Sequence, residues 1–180
     1  KRGRRVLVRP PPRRDRDEFL GLVRESRRLH RGWIAPPNTP RTYAGYLARL
    51  REDRHAGYLL VRREDQALMG VINLNEIVRG VFHSAYLGYW IGDPFARQGY
   101  MTEGLGLVLG LAFGRLRLHR VEANIQPDNA ASLALVRRLG FRCEGRSLRY
   151  LKIGGRWRDH ERFALLAEEW RGRRRTGRRA

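Results

Sequence analysis

A glycine-bearing segment near the middle of the chain has the residue types that bind a phosphate group. Residues 88–93 read GYWIGD and residues 96–103 read ARQGYMTE, which is typical of a strand, a loop and the start of a helix. Amides at a helix N-terminus have no intrahelical partner and carry the positive end of the helix dipole, so they bind a pyrophosphate. Arg97 adds charge, and Gly99 lets a phosphate approach the backbone without a Cβ in the way. An ordinary strand-to-helix turn is the alternative interpretation.

The motifs of several other chemistries are missing from the sequence. Neither G-x-G-x-x-G nor G-K-[ST] occurs, which disfavours dinucleotide and ATP sites, and no G-x-S-x-G elbow offers a serine nucleophile. The five histidines have no metal-binding spacing, so we expect no metal and interpret each as a surface or capping residue. Cys143 is the only cysteine, which excludes an internal disulfide framework, and we expect it to be a small buried residue.

The elements that must position this segment follow from the hydrophobic periodicity. Strands are expected where short apolar runs are bounded by turn residues, and helices where apolar residues recur every three to four positions. The interval from 58 to 91 forms an antiparallel meander, and a helical crossover then makes the strands at 85–91 and 120–125 parallel or splayed neighbours. The expected strands are 5–9, 58–61, 68–74, 85–91, 120–125, 148–153 and 162–166, and the expected helices are 15–29, 42–51, 101–116 and 132–139.

The fold class that follows is α/β (α+β), with a mixed, mostly antiparallel central sheet flanked by helices. The length of 180 residues favours one domain, which we place at residues 1–170, followed by a basic tail at 171–180 that we expect to be mobile. No apolar run is long enough to span a membrane, and a secretory leader is not apparent. With a single cysteine as well, the expected location is the cytoplasm and no membrane partner is expected.

The charge is strongly positive. The chain has 38 Lys plus Arg against 18 Asp plus Glu, for a net charge of +20, and only Lys1 and Lys152 are lysines. Basic runs at residues 1–5 and 171–179 would attract RNA or ribosomes through phosphate neutralisation, a force that specifies no chemistry. A coding bias towards arginine explains the same composition equally well.

The segment around Gly99 resembles the GNAT (GCN5-related N-acetyltransferase) superfamily. The family signature between a strand and a long helix is [QR]-x-x-G-x-[GA], and residues 96–101 read ARQGYM, so that Ala96 and Met101 depart from it. Methionine at the last position is familiar from the RimJ/RimL-type branch of ribosomal-protein-alanine N-acetyltransferases. Over residues 68–167 the chain resembles that branch in the order and spacing of further segments, namely 78–83, 87–89, 119–120, 127–132, 138–141 and 155–160.

The resemblance implies an acetyl-CoA site between two splayed strands. In this family one strand hydrogen-bonds the pantetheine and polarises the thioester carbonyl, the loop after it binds the pyrophosphate, and an asparagine beyond the next strand holds the pantetheine arm. Ser132 matches the position that protonates the leaving thiolate, although it and Asn129 are also ordinary residues for a helix start. The implied cofactor-binding residues are Tyr89, Trp90, Ile91, Arg97, Gln98, Gly99, Tyr100, Met101, Thr102, Asn129 and Ser132.

The general base has no motif-level assignment. Only a neutral amine attacks a thioester, so a carboxylate near the cleft is needed to take the proton. Glu76, after the strand at 71–74, is our first candidate, although an exposed turn residue is an equal interpretation. Glu122, on the strand beside the cofactor, is the second candidate, and Glu103 fits better as part of the helix. The candidate catalytic residues are therefore Glu76, Glu122 and Ser132.

Three functions are compatible with these observations. The resemblance favours an acetyl-CoA-dependent enzyme that acetylates the N-terminal α-amino group of a protein, with a ribosomal protein beginning with Ala or Ser as the expected partner, by direct attack through a tetrahedral intermediate. The first alternative keeps acetyl-CoA and replaces the acceptor by a small amine or aminoglycoside. The second is a non-catalytic nucleic-acid-binding module on the same fold that uses its arginine tails.

Overall fold

A seven-stranded sheet organises the chain, of which the computed structural model describes residues 1–176. The strand order is β1-β2-β3-β4-β5-β7-β6, and every neighbouring pair is antiparallel except β4 and β5. The predicted fold class, a mixed and mostly antiparallel sheet flanked by helices, is confirmed. The strands are β1 (Val6–Arg9), β2 (Ala56–Arg62), β3 (Leu68–Val78), β4 (Ser84–Ile91), β5 (Arg120–Ile125), β6 (Arg142–Ile153) and β7 (Arg156–Leu166).

Six α-helices flank the sheet within residues 1–176. Helix α3 begins with a capping box between Thr39 and Thr42 and has a proline at its first position, which together fix its start. The predicted helix at 15–29 is broken at Ser26, whose hydroxyl accepts a hydrogen bond from the Asp93 amide across 2.9 Å instead of facing solvent. The helices are α1 (Arg16–Glu25), α2 (Arg27–His30), α3 (Pro40–Arg49), α4 (Tyr100–Gly114), α5 (Ala130–Arg138) and α6 (Ala167–Thr176).

The apolar core lies on both faces of the sheet. One face packs against α4 and α5, with residues such as Ile72, Leu87 and Ala123 on the strands. The opposite face packs against α1 and α3, where Val71 and Trp90 meet the aromatic side chains of those helices. Because side chains alternate along a strand, these two clusters define which residues of β3, β4 and β5 point to each face.

Strands β4 and β5 separate soon after they meet. Their parallel pairing covers only Ser84 with Arg120, Ala85 with Val121 and Tyr86 with Glu122, and the remaining residues of both strands are not paired with each other. The far end of β5 stays attached to β7 through Ile125 and Glu161, so the two strands diverge. The predicted splay is confirmed, and it opens a cleft at the carboxyl end of β4.

The C-terminal part differs from the prediction. Residues 167–176 form α6, so the first part of the predicted basic tail at 171–180 is helical, and residues 177–180 lie outside the described chain. Leu166 N donates to Glu169 across 2.7 Å at the start of this helix. Strands β6 and β7 are also longer than predicted, because their arginine-rich ends form an exposed hairpin whose side chains give no apolar pattern.

Candidate active site

A cavity of about 460 Å³ occupies the cleft between the splayed strands. Its walls come from β4, the loop that follows β4, the N-terminal turn of α4, one side of α5, and α2 with the residues that follow it. Nine of the residues implied by the family resemblance line it, although they are spread over more than forty positions of the sequence. They are Tyr89, Trp90, Ile91, Arg97, Gly99, Met101, Thr102, Asn129 and Ser132.

The loop before α4 has a backbone conformation that presents amides to the cavity. Gly99 is the N-cap residue of α4 with φ +80°, and Arg97 also has a positive φ of 61°. These left-handed conformations turn the chain into a 15-residue helix, whose first amides, as in any α-helix, have no intrahelical partner. A helix N-terminus of this kind, with Arg97 beside it, fits the pyrophosphate of coenzyme A.

Two residues implied by the resemblance do not line the cavity. The Gln98 side chain turns away and donates to the Pro94 carbonyl across 2.8 Å. The Tyr100 ring lies under the Arg5 guanidinium, with 4.7 Å between the Arg5 Cζ atom and the ring centroid. Glu103 accepts a hydrogen bond from the Arg5 amide across 2.9 Å, so it anchors the N-terminal segment to α4. The side chains of Gln98 and Tyr100 are therefore engaged outside the cavity.

The β4 wall of the cavity carries a hydroxyl close to α5. The Tyr89 hydroxyl donates to the Ser132 carbonyl across 3.5 Å, and burial raises the pKa of Tyr89 to about 12. Asn129 caps α5, with its Oδ1 accepting from the Ser132 amide across 3.1 Å. Asn129 thus both caps α5 and lines the cavity, and the first turn of α5 is held against β4.

His30 is a component of the site that sequence reasoning missed. We expected a surface or capping residue, yet the structure buries it in the cleft wall, with 5.2 Å between its ring centroid and that of Trp90. Its Nε2 is 2.8 Å from the Ile91 carbonyl oxygen. The break between α1 and α2 carries the ring there, and no local sequence pattern signals that break. His55 and His160 are also buried, and Cys143, expected in the core, is exposed.

The buried His30 side chain affects how the stability of the protein depends on pH. Burial lowers the pKa of His30 from its ordinary value of 6.5, so the unfolded chain binds this proton more readily than the folded chain does. Stability is therefore lost as the pH falls through and below 6.5. We expect His30→Gln, which keeps a donor for Ile91, to reduce the fall in thermal unfolding midpoint between about pH 7 and about pH 5. Unchanged pH dependence in this variant, with the exposed His119→Gln as control, would contradict the assignment.

A second cavity of about 730 Å³ adjoins the cleft and shares Trp33, Ile34, Tyr89 and Trp90 with it. Its walls are formed by the loop before α3, α3 itself, β3, β4 and the tip of the β6–β7 hairpin. Trp33 lies in this cavity, whereas Tyr43 is buried in the core beside Phe19. The cavity lies on the side of β4 that faces α1 and α3.

A row of polar side chains crosses the sheet on the same side as this cavity. Strand alternation places Asn73 and Asn75 of β3 on the α1/α3 face, with Glu122 and Asn124 of β5 on the same face. The Tyr46 hydroxyl donates to Asn73 Oδ1 across 2.8 Å. The buried Oδ1 atoms of Asn75 and Asn124 have no hydrogen-bond partner in the described chain, a state that buried polar atoms rarely keep without water or ligand.

The two candidate bases have different surroundings. Glu122 Oε1 accepts from Arg120 Nε across 2.7 Å, and Glu122 lies in register with Tyr86 where β4 and β5 begin to separate. Glu76 is half-exposed, with its carboxylate within 3.5 Å of Arg54. Neither side chain lines the two cavities, and Glu122 is the one on the polar row that leads to them.

Two features are absent from the described part of the chain. Residues 1–176 contain no cluster of three or more His, Cys, Asp or Glu side chains placed to hold a metal ion. None of the helices in that part of the chain combines the length and the apolar character needed to cross a bilayer.

Comparison with known proteins agrees with this geometry. The family model described as an acetyltransferase (GNAT) domain matches residues 5–142. The [Ribosomal protein uS5]-alanine N-acetyltransferase of Escherichia coli is 34% identical over 174 residues, which cover 92% of this chain and 90% of that protein. The structure of Mycobacterium smegmatis RimJ in complex with CoA-disulfide superposes with a TM-score of 0.84 at 28% identity, covering 91% of this chain and 83% of that one.

A further solved structure supports the fold alone. The ribosomal-protein-S5-alanine acetyltransferase of Vibrio fischeri has a TM-score of 0.84 at 22% identity and covers 94% of this chain and 97% of its own. A family match over most of the chain, a relative above 30% identity and a cleft between splayed strands all agree. The chain belongs to the GNAT family of N-acetyltransferases.

Proposed function

We propose that this enzyme transfers the acetyl group of acetyl-CoA to the N-terminal α-amino group of a protein, with a ribosomal protein as the acceptor. The observation that carries the proposal is the wide acceptor cavity that meets the cofactor cleft at Tyr89 and Trp90. Its volume of about 730 Å³ lies within the usual range of ligand pockets and has room for the first residues of a peptide. The relative named for alanine acetylation of ribosomal protein uS5 supports the same acceptor class.

Acetyl-CoA supplies the acetyl group as a thioester, and the residues of the cleft hold it in our proposal. Arg97 and the first amides of α4, from Gly99 to Thr102, bind the pyrophosphate, because helix N-termini stabilise anions. Asn129 and the backbone of β4 from Tyr89 to Ile91 bind the pantetheine arm. A β4 amide donates to the carbonyl oxygen, where negative charge develops during attack.

The acceptor amine must lose a proton before it attacks. An α-amino group has a pKa of about 7.7–8.0 against about 10.4 for lysine, so far less work is needed to deprotonate it near neutral pH. Glu122 lies opposite Tyr86, three residues before Tyr89, which is about 10 Å along the strand. We therefore propose that Glu122 accepts the proton through water along the row of Asn75 and Asn124.

The leaving thiolate requires a proton of its own. Ser132 lies in the first turn of α5, lines the cleft and is held near β4 by the Tyr89 hydroxyl. We propose that its hydroxyl donates a hydrogen bond to the departing sulfur as the C–S bond breaks. The proton that the acceptor nitrogen loses after it has attacked passes through this hydroxyl to the thiolate, which leaves as the free thiol. Glu76 has no part in this arrangement. Like Glu122 it is paired with an arginine outside both cavities, but it is half-exposed and does not belong to the row of polar side chains.

A panel of acceptors tests the proposal against its rivals. We expect thiol release from acetyl-CoA with peptides that begin with Ala or Ser, and a rate at least about tenfold lower with spermidine, an aminoglycoside or a peptide whose N-terminus is blocked. Turnover with the small amines alone would move the acceptor to that class. No turnover with any amine, together with RNA binding that weakens steeply with salt, would support the nucleic-acid-binding module instead.

A further inference from the structure

The charges around the acceptor cavity are all of one sign. Of the residues that line it, none is Asp or Glu, while Arg49 and Lys152 are both basic. Arg49 is the last residue of α3, and Lys152 lies at the end of β6 next to the hairpin turn. Both side chains are exposed, and neither forms an ion pair with another residue of the described chain. The cavity rim therefore carries two uncompensated positive charges.

The two cations lie beyond the point of attack. Arg49 is one helical turn, about 5 Å, from Tyr46. The Tyr46 hydroxyl is 2.8 Å from Asn73, which is the β3 partner of Gly88. Lys152 approaches from the hairpin, and Ile153 and Gly154 beside it also line the cavity. An amine that reaches β4 from this cavity leaves its next few atoms or residues in a cavity whose lining includes both cations.

We propose that Arg49 and Lys152 select acceptors with acidic side chains within their first four residues. The inference rests on the proposed function and names the substrate class of that same cavity. An extended peptide advances about 3.3 Å per residue, so a carboxylate at positions two to four reaches past β4 towards the rim. A polycation meets two like charges there and no carboxylate, which disfavours spermidine and aminoglycosides.

The physical contribution of the two cations lies in binding. Exposed charges attract an oppositely charged group before and during docking, and the attraction falls as salt screens it. Neither cation lies on the row of side chains that handles the proton or the thiolate. The selectivity is therefore expected in the KM of the acceptor, with kcat and the KM of acetyl-CoA unchanged.

Matched peptides test this selectivity. The peptides share length and first residue, Ser or Ala, and carry Glu, Gln or Lys at positions two to four. We expect the wild-type kcat/KM to be about tenfold higher for the acidic than for the neutral peptide, with the lysine peptide lower still. In the double variant Arg49→Glu/Lys152→Glu the order should reverse through KM, and about 0.5 M salt should shrink the wild-type difference.

Controls separate charge selection from other causes. Arg41→Glu removes an exposed arginine from the first half of α3, outside the cavity, and should keep the wild-type order. Lys152→Glu alone, on the exposed hairpin, should shift the ratio of kcat/KM between acidic and neutral peptides in the same direction. It replaces the double variant as the test if thermal unfolding shows the double variant to be unstable. Equal kcat/KM for acidic and lysine peptides would overturn this inference while leaving N-terminal acetylation intact. Failure of every peptide, with turnover of small amines, would instead overturn the proposed function.

Discussion

Replacing Gly99 by valine is expected to abolish acetyl-CoA binding. Gly99 has φ +80°, a conformation that strains a β-branched residue, and its added Cβ would lie 3.2 Å from the Arg5 guanidinium. The chain can relieve this strain by a change in φ at residue 99 or by a shift away from Arg5. Both changes move the amides that face the pyrophosphate. Each charge-assisted hydrogen bond contributes about 1.5–3 kcal/mol, so the loss of two weakens binding at least about a hundredfold. Isothermal titration with coenzyme A measures this directly.

Arg97→Glu should produce a loss of similar size, because it places a negative charge beside the phosphates. Two matched controls distinguish the site from backbone strain. Gly80 also has a positive φ, 65°, with no atom within 4 Å of an added Cβ, and Arg117 is an exposed arginine with φ 53° after α4. Gly80→Val and Arg117→Glu should retain wild-type affinity for coenzyme A. Affinity that is unchanged in Gly99→Val and Arg97→Glu would refute this placement of the pyrophosphate.

Glu122→Gln is expected to lower kcat by about a hundredfold or more, in the range typical for removal of a general base. The amide keeps the size of the side chain and an acceptor for Arg120, while it cannot take the proton of the amine. The deficit should shrink as the pH rises above about 8, because the α-amino group is then already neutral. Pre-steady-state acetyl transfer to a Ser-starting peptide, followed against pH, gives the measurement.

The matched variant for this prediction is Glu76→Gln. Its carboxylate is half-exposed and paired with Arg54, so the change should leave kcat within about twofold of wild type. A large loss in Glu76→Gln with little change in Glu122→Gln would exchange the two roles. At high pH the amine is already neutral and no base is needed. A deficit in Glu122→Gln that persists there would therefore indicate damage to the sheet through the altered contact with Arg120.

Much of the fold follows from the sequence because its strands and helices have distinct periods. Alternation and the single long crossover predict the antiparallel meander and the splay of β4 and β5, and the resemblance places Arg97, Gly99, Asn129 and Ser132 around one cleft. These residues come together because the loop and α5 both begin at the carboxyl ends of the two diverging strands.

The remaining features depend on contacts between distant residues. The break between α1 and α2 is accompanied by a hydrogen bond from the Asp93 amide to Ser26, which is 67 positions away. Beyond the break, His30 Nε2 lies 2.8 Å from the Ile91 carbonyl oxygen. The β6–β7 hairpin has long arginine side chains on both faces, so alternation gives no signal over half its length. Exposure of Cys143 follows from its place on the edge strand β6.

The position of the transferred acetyl group tests the central claim most directly. Two Ser-starting peptides with one internal lysine and Glu at position three, one with a free and one with a blocked N-terminus, would be incubated with the enzyme and acetyl-CoA. Fragment-ion mass spectrometry would then locate the product. We expect the acetyl group on the α-amine of the free peptide and no product from the blocked one. Acetylation of the internal lysine at a similar rate in both peptides would contradict an N-terminal acetyltransferase.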